Sequence, residues 1–186
     1  MPRPDKYRAP NALRTSLGFA RDDGILASAR RYALALGTVI LLTAAAQRPP
    51  LPTRFTDMAA TAAVPVDAWH GRTTIISYWA RWCGPCLVEL PTLPALAAAN
   101  PDLHFVAASL DGRRGASRWL ASHPLPGIET IHALGTPASI LRPLGNGRLL
   151  LPFNIVVDAA GRVCAISIYR LDADQLARLL AICRAA

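Results

Sequence analysis

The stretch YWARWCGPCLVELP, Tyr78 to Pro91, sets two cysteines two residues apart, with tryptophans before them and a glutamate and a proline after. TTIISYW, Thr73–Trp79, is mostly β-branched or aromatic and carries no charge, which predicts a buried strand of a parallel sheet. Beyond the cysteines, Leu87, Leu90, Leu93 and Leu96–Ala97 recur at helical spacing and stop near Asn100–Pro101. Cys83 therefore falls at a helix N-terminus, where free N–H groups and the positive dipole end stabilise a thiolate. Thiolate is the nucleophile of disulfide exchange, so Cys83 is the expected attacking residue. Cys86, one turn further in and less exposed, is placed to resolve a mixed disulfide. Gly84 lets another chain approach closely, and Pro85 fits the first helical turn without losing a needed hydrogen bond.

Other chemistry fits less well. A zinc site usually needs four ligands, and the chain has four cysteines, but Cys164 and Cys183 are not grouped as a second knuckle. Covalent haem attachment wants His directly after the second cysteine, where this chain has Leu87. A purely structural bridge at this spacing closes too small a loop to stabilise much. Redox chemistry is the expectation, with no metal and no cofactor. Glu89 has two readings from spacing alone. It is an ordinary surface acid early in a helix, where negative charge is favourable, or a carboxyl forced into an apolar pocket, able to exchange protons with the buried thiol.

Further along, LHFVAASL (Leu103–Leu110) reads as a second strand followed by an Asp-Gly turn, and ASRWLASH (Ala116–His123) as a short helix ending before Pro124. FNIVVD (Phe153–Asp158) and RVCAISIY (Arg162–Tyr169) flank AAG and predict a β-hairpin. Asp172, as N-cap, opens a last amphipathic helix carrying Leu176, Leu179, Leu180 and Cys183. The order predicts an α/β domain over residues 55–186, a mixed central sheet with helices on both faces. Cys164 and Cys183 fit either a second, structural disulfide or two small buried hydrophobes. His70, His104, His123 and His132 show no metal-ligand spacing, and Gly145–Gly147 reads as a turn before the strand that follows Pro152.

The N-terminal part has a different character. Residues 1–54 hold nine Lys/Arg and three Asp, whereas residues 55–186 hold eleven Arg and nine acids, so most of the formal charge of +8 belongs to the tail. The domain shows no basic balance of the kind nucleic-acid binding needs, and no nucleic-acid partner is expected. A basic tail, 1–31, leads into fifteen uncharged residues, YALALGTVILLTAAA (32–46). That length is short of the roughly 20 residues that span a bilayer and matches a signal-peptide core of about 7–15. Ala44 and Ala46 offer a small-x-small cleavage pattern, while the long basic stretch favours an uncleaved anchor. Either way the domain is expected on the exported side. Residues 47–54, with three prolines, read as an extended linker.

W-A-x-W-C-G-P-C after an apolar strand resembles the active-site signature of the thioredoxin superfamily, and LLLPFNIVVDAAGRV resembles its second landmark. The resemblance runs from about Trp69 to Arg184. It implies a thioredoxin-like fold, a cis Pro152 packed against the cysteine pair, and a substrate surface including Trp82, Gly84, Pro85, Leu151 and Pro152. Pro-Phe-Asn stands where Pro-Thr is more usual. Cytoplasmic thioredoxins carry a buried Asp at the position of Ser77, and that acid is missing. C-x-x-C-x-x-E-x-P instead resembles the exported TlpA/ResA-like thiol-disulfide reductases, in which the glutamate lies beneath the cysteines and Pro91 matches a helix-kinking proline. This implies a periplasmic, anchored or released, reductase of protein disulfides with Cys83, Cys86 and Glu89 as catalytic residues. It also implies a membrane electron-donor thiol protein and, as a client, apocytochrome c. The alternative is a copper-handling metallochaperone module on the same fold. Copper-delivering relatives generally use a three-residue spacer and a partner histidine, neither of which is evident here.

Overall fold

Side-chain alternation along Thr74–Trp79 organises the molecule: Ile75 and Trp79 point to one face of the sheet, Ile76 and Tyr78 to the other, and all are buried. The computed structural model describes residues 51–59 and 61–185. Expectations for the tail, the apolar segment and residues 47–50 lie outside the described residues. Among the described residues no helix is long and apolar enough to cross a membrane.

Seven strands form one sheet in the order β2-β1-β5-β4-β3-β6-β7. They are β1 (Phe55–Asp57), β2 (Ala63–Val64), β3 (Thr74–Trp79), β4 (His104–Ser109), β5 (Glu129–Ala133), β6 (Phe153–Val157) and β7 (Val163–Ser167). β3, β4 and β5 are parallel, and the other pairings are antiparallel, so the sheet is mixed. The helices are α1 (Gly84–Glu89), α2 (Leu93–Ala99), α3 (Arg113–Ser122), α4 (Pro137–Leu141) and α5 (Ala173–Ala185). One core layer joins Ile75, Trp79, Phe105 and Val156 of the sheet to Leu93, Ala116, Leu176 and Leu179 of the helices. The opposite layer joins Ile76, Tyr78, Val106 and Ile155 to Trp69 of a 3-10 turn and to Ile140 and Leu141 of α4.

Several boundaries differ from the sequence reading for identifiable reasons. The helix after the cysteines is not continuous: α1 gives way to a 3-10 turn, Leu90–Thr92, before α2. Pro91 sits at that junction and has no N–H to continue the ladder. α3 starts at Arg113 rather than Ala116, directly after Gly112. β1, β2, β5 and α4 are short and lack a hydrophobic period. β5 (ETIHA) takes its conformation from parallel pairing with β4, which aligns Val106 with Glu129 and Ser109 with His132. At the end of the presumed linker, Leu51 and Thr53 are buried, and the Tyr78 hydroxyl donates to Thr53 Oγ1 at 3.2 Å. The last linker residues are therefore part of the core.

Candidate active site

The parallel strand β3 ends at Trp79, and a tight turn closed by Cys83 N–H to Ala80 C=O (3.0 Å) delivers the chain to α1. Cys83 is the N-cap, with extended backbone angles, and its Sγ accepts the Cys86 N–H at 3.2 Å. Helix N-termini leave donors unsatisfied, and here the Cys83 sulfur takes one of them. The two sulfurs are bonded, with the Cα atoms 5.3 Å apart. Cys83 is 5% exposed and Cys86 1%, so Cys83 is the less deeply buried of the two. Around them Trp82 is 64% exposed, Gly84 and Pro85 are at the surface, and a side chain at Gly84 would meet no atom within 4 Å. The surface over the disulfide is open.

Glu89, one turn beyond Cys86, is 1% exposed. The α1 face that buries Cys86 also buries Glu89, since the two are three residues apart on the same side. Its Oε1 accepts from Ser77 Oγ at 2.7 Å, and its Oε2 accepts from the Leu171 N–H at 2.7 Å and from Asn154 Nδ2 at 3.3 Å. Ser77 and Asn154 are direct partners in the antiparallel β3–β6 register, so two adjacent strands and the segment leading into α5 converge on one carboxyl. Burial pushes Glu89 above the ordinary carboxyl range, and these hydrogen bonds, with the charge of Arg170, hold the rise back. Of the two readings from spacing, the buried carboxyl is the one realised.

The Leu151–Pro152 peptide is cis, Pro152 is buried immediately before β6, and Leu151 packs on the core cluster that contains both cysteines. Cys164 and Cys183 form a second disulfide, tying β7 to α5. It is separate from the first and packs on the same core cluster.

Asn154, Leu171 and Asp111 were not singled out from the sequence. Asn154 lies two residues after Pro152. Its amide donates to Glu89 and to the Tyr169 carbonyl (3.0 Å), while its Oδ1 is buried with no partner among the described residues. Asp111, buried just past β4, accepts the Arg81 N–H and, at 3.3 Å, the Arg81 Nε, fixing the turn that enters the cysteines. The Asp of the Asp-Gly turn at the strand's C-terminal end was the available signal, and nothing local indicated its partner. Among the described residues no group of three or more His, Cys, Asp or Glu side chains is arranged to hold a metal.

A C-x-x-C disulfide capping a helix that follows a buried parallel strand, with a cis-proline at the entry to the neighbouring strand β6, is the arrangement of a thioredoxin-like fold. No family model matches the chain. The thiol:disulfide interchange protein DsbE homolog of Paracoccus denitrificans is 30% identical over 90 residues, which cover 48% of this chain and 46% of that protein. The chain thus matches less than half of that relative's length. A thioredoxin-related protein from Neisseria meningitidis superposes with a TM-score of 0.61 at 18% identity, covering 71% of this chain and 99% of that one. A secreted Mycobacterium tuberculosis disulfide oxidoreductase, described as homologous to E. coli DsbE, superposes with a TM-score of 0.54 at 18% identity, over 73% and 97% of the two chains. The chain has the thioredoxin-like fold.

Proposed function

We propose that this chain is an exported protein thiol–disulfide oxidoreductase that works as a reductase. The observation that carries the reading is the Cys83–Cys86 couple at the head of α1 with the buried Glu89 behind it. In the dithiol form the Cys83 thiolate attacks one sulfur of a substrate disulfide. A mixed disulfide forms, the substrate S–S bond breaks, and the departing sulfur takes a proton. Cys86 then passes its proton to Glu89 and attacks Cys83 Sγ. The second substrate sulfur leaves as a thiolate and takes a proton from solvent, and the Cys83–Cys86 disulfide, the form seen here, is left, two electrons having moved to the substrate. Recharging runs the steps backwards with a donor dithiol, and Glu89 returns the proton to Cys86. A carboxyl whose proton affinity is raised by burial suits both directions, because it is a better proton acceptor than an exposed acid when Cys86 gives up its proton.

Trp82, Gly84 and Pro85 form the exposed contact surface in this reading, and Leu151 with cis Pro152 presents backbone to the substrate. Cys164–Cys183 is structural. Export is carried by the apolar segment 32–46, as anchor or as a signal cleaved near Ala46, and a periplasmic location follows. A membrane thiol protein is the electron donor of this scheme and apocytochrome c a client to test first. Reduction of insulin or a disulfide peptide by the full chain is the direct experiment, and turnover unaffected by Cys83→Ser would overturn the assignment. Trapping the in-cell state tests direction: mostly dithiol supports a reductase, mostly disulfide an oxidase.

A further inference from the structure

The first turns of α3 carry a charge pattern that the fold does not use. Arg113, Arg114 and Arg118, with Ser117 and the Met58–Ala59 turn of the β1–β2 hairpin, line a concavity of about 600 Å³. None of the three guanidinium groups has a carboxylate partner among the described residues, and Arg118 Nε reaches only the Arg114 carbonyl of its own helix. The nearby acids are committed elsewhere: Asp111 is buried under Arg81, and Asp57 accepts the Thr61 N–H at 2.8 Å.

Two adjacent arginines in the first turn of a helix are unfavourable, because the free N–H groups there already present positive charge. α3 has no acid in that turn and no side-chain cap on its N-terminus. The uncompensated charge is felt locally: burial foremost, then Arg113, hold His132 below the ordinary imidazole range. Cations held together without an internal counter-charge are the arrangement that an anion from outside would relieve. The helix that lines the concavity also touches the turn that enters the cysteine pair. The Arg81 guanidinium rests on Gly115 of α3, where a Cβ would collide with it, and Arg81 is two residues from Cys83.

We propose that this arginine-lined concavity docks an acidic protein segment of the redox partner, one whose Asp and Glu side chains lie close to its reactive disulfide or dithiol. Carboxylates pair with guanidinium forks in bidentate fashion, which gives geometry as well as attraction. A groove between a helix and a hairpin turn, with the Ser117 hydroxyl and Met58 in its wall, fits a peptide better than a planar lipid surface. The proposal rests on the redox reading above and names the chemistry of the partner.

The test uses the full chain, a fluorescent cysteine-free peptide rich in Asp and Glu, and a neutral peptide of equal length. Anisotropy should show binding of the acidic peptide alone, weakening about tenfold between roughly 20 mM and 300 mM salt. The double variant Arg114→Gln/Arg118→Gln should bind it about tenfold more weakly and lose most of the salt dependence. Exchange with a disulfide flanked by acids should fall by a similar factor in that variant, while exchange with a neutrally flanked disulfide stays unchanged. Equal binding of both peptides, or undiminished binding by the variant, overturns the proposal. So does binding to phosphatidylglycerol vesicles without a preference for the acidic peptide. If the acidic peptide binds as described but neither disulfide is exchanged, the docking surface stands and the redox reading fails.

Discussion

The Ser77 hydroxyl on β3 donates to Glu89 Oε1 on α1 at 2.7 Å, both groups buried. A carboxylate at position 77 would face Glu89 as a like charge and force one of the two to stay protonated. The hydroxyl lets a single acid occupy the space behind the cysteines. The acid sits on the helix, and its hydrogen-bond partners are drawn from β3, β6 and the approach to α5.

Glu89 gives the protein a defined pH response. Burial raises its native pKa above the ordinary 4.5, so between that value and the native pKa the folded chain holds more protons than the unfolded one. Its contribution is fully present below the unfolded pKa and is lost as pH rises through the native value. Denaturant midpoints of the disulfide form should decline across that window, and Glu89→Gln should flatten the decline. The same variant should slow exchange by about 10–100-fold by removing the proton acceptor.

Ser77→Ala tests the donor. Losing it should cost about 1–2 kcal/mol of stability and move the Glu89 titration to still higher pH, because one of the bonds restraining the rise is gone. Titrating Glu89 by NMR in the oxidised protein measures this. An unchanged Glu89 titration would show that Ser77 does not restrain it.

Asp111→Ala should release the Arg81 turn and destabilise the fold by about 1–3 kcal/mol, with slower exchange because Cys83 is no longer held against α1. Asp111→Asn keeps an acceptor oxygen and should recover most of the stability and part of the rate. Thermal melts paired with exchange kinetics separate the two effects.

Cys164→Ser/Cys183→Ser removes a bridge between residues 19 apart in sequence, which should cost about 3 kcal/mol. Exchange at 25 °C should persist, since this disulfide does not enter the proposed electron path. Loss of exchange in a variant that still melts cooperatively would assign the second pair a redox role.

Local chemistry alone determined much of this protein. The strand TTIISYW, the helix-capping Cys83, the spacing to Cys86, the closing hairpin and the last helix are all short-range patterns, set by side-chain period, charge and helix-end preference. A mixed sheet with helices on both faces followed from their order, and its thioredoxin-like character from the resemblance of the cysteine signature. Tertiary structure decided what those patterns could not express. β5 became a strand only by pairing with β4, and Leu51 and Thr53 left the linker only because the core had room for them. The choice between a surface and a buried Glu89 depended on the β3–β6 register, which sets Ser77 opposite Asn154 and turns both toward the same face. A one-residue slip would have turned them away, and no local sequence signal records a register between strands nearly eighty residues apart.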